Sequence, residues 1–443
     1  MRMPSISAAA FAAIATLGAS VVVVPAQPAA ATPGAKAPAW TRMSFYDGVD
    51  VAATSQLPMM KGLAGAYPLT LRLYTGCWGH ALPVDRTSGT WDFNNVASQI
   101  SFWNEHGIPM MVSLSYDPPI TTEPPNPAAE AVPSPDWPAL YASCAAAFAK
   151  RFGNLPQLRA IDVTNEPNIP NESTSDGAMP LVEEAIVNGV EAARQSLPAA
   201  SYARVGFSWA YTNTPDPWDA AFFGSLGAIG GHRFARDTSF VDMHIYPGTW
   251  EPDYPPPGIS PSNPDYVFYE TRYTVSEGIA YLRRDLMPLA GLGKRVSIEI
   301  GETGYRSGGP GTTANQNAFG ALPGNDQDQL QALYGEWIAA FEAAGTPGRG
   351  KGEGVRAFTW FRLADPYSAP SACAPPWPAS GLLFNCTSGF GLIAQPSPGS
   401  FEARPSFCGY QTIIADPKLA SSHPLKGIRG ASTCTVTVSE SST

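Results

Sequence analysis

The sequence holds few of the residues that build metal or redox centres: five histidines and six cysteines in 443 residues. No Cys-x2-Cys or paired-histidine spacing occurs among them, which argues against zinc. Cations are also scarce. Lys and Arg number 27 against 37 Asp and Glu, for a net charge of −10, and they form no block. That composition argues against a nucleic-acid partner, whose phosphates need clustered basic side chains. No Gly-x-Gly-x-x-Gly follows the first strand-like run, which counts against an open dinucleotide-binding sheet. Beyond the N-terminal segment, no run is apolar enough to span a bilayer.

That N-terminal segment reads as a targeting signal. Arg2 supplies the positive start, Ala8 to Val24 is apolar or small apart from Thr16 and Ser20, and Val24/Ala26 or Ala29/Ala31 suit the cleavage positions. Residues 1–31 are therefore expected to be a signal peptide and 32–39 a short Pro/Ala-rich linker. Residues 40–420 are expected to form one catalytic domain, and 421–443 a Ser/Thr-rich tail tethered by Cys434. An uncleaved anchor is the alternative reading of the first segment. No cysteine precedes Cys77, which argues against a lipid-modified terminus. Forty-five prolines mark rigid connections rather than disorder, because 44% of residues remain hydrophobic. Export makes disulfides plausible. Cys373–Cys386, the nearest pair in sequence, Cys408–Cys434 and Cys77–Cys144 are the expected bridges.

Strand-like and helix-like runs alternate along the remaining chain, which predicts a parallel α/β fold. Strands are expected within 40–51 and at 69–73, 108–115, 158–166, 203–210, 240–245, 295–302 and 355–361. Helices are expected at 57–64, 96–106, 138–152, 181–195, 274–289, 327–344 and 406–415. Eight strands in this order predict a (β/α)8 barrel, with a doubly wound sheet as the alternative. The longest loops, 116–137, 247–266 and 364–400, follow strands and would crowd the rim at their carboxyl ends. Trp78, Trp137, Trp250 and Trp377 lie on such loops, where an indole can stack on a sugar ring or simply fix its own loop.

Two of the strands end in carboxylates. The run Leu158-Arg-Ala-Ile-Asp-Val-Thr-Asn165-Glu166 is stopped by Pro167, and Arg295-Val-Ser-Ile-Glu-Ile300 leads into Gly301-Glu302-Thr303-Gly304-Tyr305. Paired carboxylates at strand ends suit glycosidic cleavage, where one protonates the leaving oxygen and the other attacks carbon or activates water. On these motifs the chain resembles the clan A glycoside hydrolases, which are retaining (β/α)8 barrels. The stretch Phe148-Ala-Lys-Arg-Phe-Gly153 before the first motif is similar to the clan's approach to its acid/base strand. Glu302-Thr-Gly-Tyr resembles the Glu-Thr-Gly-Trp of plant-type β-1,3-glucanases.

The resemblance implies that Glu166 is the acid/base, that Glu302 is the nucleophile, and that Asn165 binds the sugar 2-hydroxyl. It further implies that Arg72 supports the nucleophile and that His244 and Tyr246 line the cleavage subsite. Trp360 would be a platform on the last strand, although Phe361 points to the opposite face, so one of the two must pack outward. Glu299 competes with Glu302 but would sit deeper, by roughly 10 Å for three residues of rise. The chain departs from family 5 at Thr164 and in Ser113-Leu-Ser-Tyr116, which lacks that family's histidine, so a family 39-like or other branch fits as well. The expected activity is that of a secreted, monomeric, retaining glycosidase acting on a poly- or oligosaccharide. It needs no metal or organic cofactor and, once mature, no membrane. A wall-remodelling transglycosylase with the same residues and a non-catalytic carbohydrate-binding barrel are the alternatives.

Overall fold

Buried β-strands with helical crossovers read as continuous apolar runs on their outer face, and they close only when each strand pairs with its sequence neighbour. The computed structural model follows that rule. It describes residues 37–77, 82–85, 90–116, 120–122, 132–133, 135–169, 178–212, 216–248, 254–307, 325–345, 352–365, 389–397, 400–432 and 437–438. The expected signal peptide, Trp78, Trp250, Trp377, Cys373, Cys386 and Cys434 lie outside the described residues.

Eight parallel strands close a barrel: β1 (Tyr46–Asp50), β2 (Thr70–Gly76), β3 (Met110–Ser115), β4 (Leu158–Val163), β5 (Arg204–Ala210), β6 (Phe240–Ile245), β7 (Ser297–Thr303) and β8 (Val355–Trp360). Each pairs in parallel with its neighbours in sequence, and β8 returns to β1. The crossovers carry α1 (Leu57–Ala64), α2 (Asn94–Glu105), α3 (Trp137–Phe152), α4 (Val182–Ser196), α5 (Pro217–Asp237), α6 (Tyr266–Tyr281) and α7 (Asp326–Glu342). The chain then continues in α8 (Pro405–Ala415), α9 (Pro417–Ser422) and α10 (Pro424–Ala431), so helix extends past residue 420.

Helix α5 was not among the expected elements. Gly224, Gly227, Gly230 and Gly231 lower its intrinsic helix preference, and Gly231 takes a left-handed φ of 53° that kinks it. Its start is nevertheless well encoded: Asp216 accepts from the Trp218 amide, and Pro217 occupies the first turn. Helix α7 opens on a capping box in which Asn325 and Asp328 satisfy each other's amides.

Strand alternation sorts the two faces. Val49, Leu71, Leu73, Val112, Leu114, Ile161, Val163, Val241, Met243, Ile298 and Ile300 enter the main apolar core shared with the helices. The opposite parity faces the barrel interior, where polar groups surround a small apolar cluster of Met111, Ala160 and Phe240. At its amino end, Arg159 and Arg204 clamp Glu299, with Arg159 Nη1 2.6 Å from Glu299 Oε2. Burial would raise the Glu299 carboxyl, but the two guanidiniums outweigh it and hold the group below its usual range. Both Glu299 oxygens are thus committed to a fixed ion cluster, which leaves Glu302 as the carboxylate of β7 at the carboxyl rim.

Candidate active site

The first carboxylate reaches the rim through strained backbone. After Val163 the chain turns through Thr164 and Glu166, both at positive φ (75° and 45°). Such angles are costly for residues with a Cβ, most of all a β-branched one, and they persist only where neighbours hold them. The holding contacts are visible. The Thr164 amide donates to Tyr141 Oη at 2.8 Å and to the Leu114 carbonyl at 3.1 Å, and the Glu166 amide donates to Ser208 Oγ at 3.0 Å. The Glu166 side chain is 24% exposed, so it sits at the mouth of the site.

The second carboxylate arrives through a bulge. Met243 pairs with Ile300 but His244 pairs with Glu302, leaving Gly301 unpaired. Strict alternation would put Glu302, three residues from Glu299, on the face opposite to it. The extra residue restores the inward direction. Only glycine fits there: a Cβ at residue 301 would lie 2.0 Å from Asp242 Oδ1 and 2.1 Å from Oδ2.

Glu302 is 5% exposed and fully engaged. Arg72 donates from Nη1 to Oε1, Tyr74 donates to the same oxygen at 2.9 Å, and Tyr246 donates to Oε2 at 2.5 Å. Burial alone would raise this carboxyl; the charges of His244 and Arg72, helped by both tyrosine hydroxyls, bring it down to about 2. Arg72 Nη2 also donates to Asn165 Oδ1 at 3.1 Å, and Tyr74 donates to the same oxygen. His244 joins the two carboxylates: Nδ1 lies 3.0 Å from Glu166 Oε1 and 3.8 Å from Glu302 Oε2, while Nε2 lies 3.3 Å from Asp242 Oδ2. Burial opposes its charge, but Glu302, Asp242 and Glu166 raise the imidazole well above its ordinary value. Glu166, His244 and Glu302 each present an atom within 4.8 Å of the others.

Arg72, Asn165, Glu166, His244, Tyr246 and Glu302 therefore converge at one place. Trp360 does not. It is fully buried, and its indole N–H donates to the Phe390 carbonyl at 2.9 Å. It shares the outward parity of Phe358, whose ring meets Tyr410 of α8. The aromatic that faces Tyr246 is Phe361, with ring centroids 6.0 Å apart. The alternation in Thr359-Trp360-Phe361 allowed either ring to face inward, and the structure selects Phe361. Trp137 is likewise a core residue, stacked on Tyr116 with its N–H on the Pro180 carbonyl.

Sequence reasoning missed Tyr74, Asp162 and Asp242. Tyr74 and Asp242 show the two-residue period: Arg72-Leu-Tyr74 on β2, and Asp242-Met-His244 beside Tyr246 on β6. Asp162 and Asp242 lie beneath Arg72, 3.7 Å and 3.8 Å from its guanidinium. Asp162, Asp242 and His244 are close enough to suggest a metal cage, but the guanidinium already supplies the cation between the two aspartates.

No family model and no curated protein matches the sequence. Among solved structures, the chain is similar to the exo-β-1,4-mannosidase Op5Man5 from Opitutaceae bacterium strain TAV5, with a TM-score of 0.50 and 13% identity over 87% of this chain and 60% of that one. It is also similar to a family 39 glycoside hydrolase from the gut symbiont Bacteroides cellulosilyticus WH2, with a TM-score of 0.49 and 14% identity over 85% of this chain and 64% of that one. For a family 1 β-glucosidase from Thermotoga maritima the TM-score is 0.47 and the identity 12%, over 84% of this chain and 97% of that one. The chain spans less than two thirds of the length of the first two. The barrel is the fold it shares with Op5Man5.

Proposed function

We propose that this chain is a secreted retaining glycoside hydrolase acting on a poly- or oligosaccharide. The observation that carries the reading is the pair Glu166 and Glu302, each offering an oxygen within 4.8 Å of the other's at the carboxyl rim of the barrel. Retaining enzymes place their two carboxyl groups about 5–5.5 Å apart, whereas inverting ones leave roughly 6.5–9.5 Å for a water. Glu302, held ionised by Arg72 and His244, attacks the anomeric carbon as the leaving oxygen takes a proton from Glu166. Glu166 then removes a proton from water, which displaces Glu302 and regenerates the acid. Asn165, which accepts from Arg72 and Tyr74, binds the sugar hydroxyl next to the reacting carbon. The Tyr246 hydroxyl keeps Glu302 aimed until the covalent bond forms.

Stereochemistry tests the reading. Glu302→Gly should lose hydrolysis but regain cleavage of an activated glycoside when azide is added, giving the inverted glycosyl azide. Glu166→Ala should still form the glycosyl-enzyme from a substrate with a good leaving group, and azide should then give the retained product. Proton NMR of the products reads both. If Glu299→Gly shows the first behaviour while Glu302→Gly stays active, the nucleophile is misassigned. If neither substitution matters, the glycosidase reading fails.

A further inference from the structure

The exposed indole of Trp218 has an unusual setting. Exposed apolar side chains are common and ordinarily free to move. Trp218 is 56% exposed, yet it is pinned twice. Its backbone amide donates to Asp216 Oδ1 at 2.8 Å, and its indole N–H donates to the Asn168 carbonyl at 3.0 Å. Its anchor is rigid in turn. The Asn168 side chain is buried, donates to the Ala210 carbonyl at 2.7 Å and to Asp219 Oδ1 at 3.0 Å, and accepts from the Ala210 amide at 2.8 Å. Asp219 also accepts from the Trp209 indole at 2.9 Å. This network ties the segment after β4 to the start of α5.

The position matters as much as the rigidity. Asn168 is two residues beyond Glu166, so its Cα lies at most about 7 Å from that of Glu166. Trp218 therefore stands on the same rim as Glu166, its indole nitrogen within about 13 Å of the Glu166 Cα, whereas Arg72, Tyr74 and Tyr246 gather around Glu302. An indole with its N–H already satisfied offers an apolar, electron-rich face. The axial C–H face of a pyranose matches that face, and a ring already fixed in place loses little entropy on binding.

We propose that Trp218 is the stacking platform for a sugar on the leaving-group side of the scissile bond. The inference rests on the glycosidase reading and deepens it by naming the side chain that holds the leaving saccharide. The test compares two probes with one cleavable sugar: an oligosaccharide from a β-1,4-gluco-, β-1,4-manno- or laminari-oligosaccharide panel, and the corresponding glycosyl fluoride. Trp218→Ala should lower kcat/KM for the oligosaccharide about tenfold or more, mainly through KM, and leave the fluoride unchanged. Trp218→Phe, which keeps a ring but loses the anchor, should fall between. Equal effects on both probes, or none on the oligosaccharide, overturn the platform while the glycosidase reading stands. Wild-type protein that cleaves neither probe overturns both.

Discussion

At the scale of single residues, the site is a charge balance at the buried end of the barrel interior. Arg72 is fully buried with four carboxylates within 4.0 Å, so removing any one partner alters the field that acts on the guanidinium. His244 is the most sensitive reporter. Burial disfavours its charge, and Glu302 is the strongest influence holding the proton on. In Glu302→Gln the imidazole should titrate at lower pH than in the wild type, which NMR of the His244 ring can follow; an unchanged titration would mean that Glu302 does not govern it. The stability signs follow. A histidine raised on folding contributes fully below its unfolded value of about 6.5, and that contribution is lost as pH rises through the folded value. Glu302, lowered from 4.5 to about 2, contributes above 4.5 and loses its contribution as pH falls through 2. Acid denaturation between those values should therefore be shallower in Glu302→Gln. Tyr246→Phe removes a hydrogen bond to a charged acceptor, of about 1.5–3 kcal/mol, so kcat should fall about tenfold to a hundredfold. Weakened binding at unchanged kcat would instead make the hydroxyl a substrate contact.

At the scale of elements, the bulge at Gly301 decides which carboxylate serves the site. The clan resemblance made Arg72 legible, and alternation put His244 and Tyr246 on one face, because β6 keeps its period through them. The same rule misleads on β7, where Glu299 and Glu302 stand an odd number of residues apart and both still point inward. A bulge depends on how a strand pairs, so one strand read alone does not reveal it. Trp360 and Phe361 failed for a related reason: parity says the two rings diverge, and only the closed barrel says which one meets Tyr246. Gly301→Ala tests the bulge. Its methyl would press on the Asp242 carboxylate, which contacts both His244 and Arg72. The expected cost is about 1–3 kcal/mol of stability, with kcat falling further than a surface variant of equal stability. Loss of stability with normal kcat would show that Asp242 does not transmit the displacement to the site.

At the scale of the whole molecule, the eight strands were readable because each apolar run is short and bounded, whereas α5 was hidden by its glycines. Long-range covalent structure is harder to read, since cysteine spacing alone does not choose partners. The bridge expected between Cys77 and Cys144 is present, joining the residue after β2 to the middle of α3 with their Cα atoms 5.8 Å apart. Cys408 is disulfide-bonded as well, and Cys434, its expected partner, lies outside the described residues. Both Cys77 and Cys144 are fully buried. The Cys77–Cys144 bridge spans 67 residues of sequence, and closing a loop of that length removes denatured-state entropy worth about 4 kcal/mol. It follows β2 directly, and β2 carries Arg72 and Tyr74, so the bridge also restrains the strand that holds Glu302. The double variant Cys77→Ala/Cys144→Ala should unfold at a lower denaturant midpoint than the wild type under oxidising conditions, with the difference largely erased when both are reduced. Its kcat at a denaturant-free temperature well below unfolding should change little, because β2 is paired on both sides by β1 and β3. A large loss of kcat without loss of stability would instead make the disulfide part of the site's geometry rather than of the fold's stability.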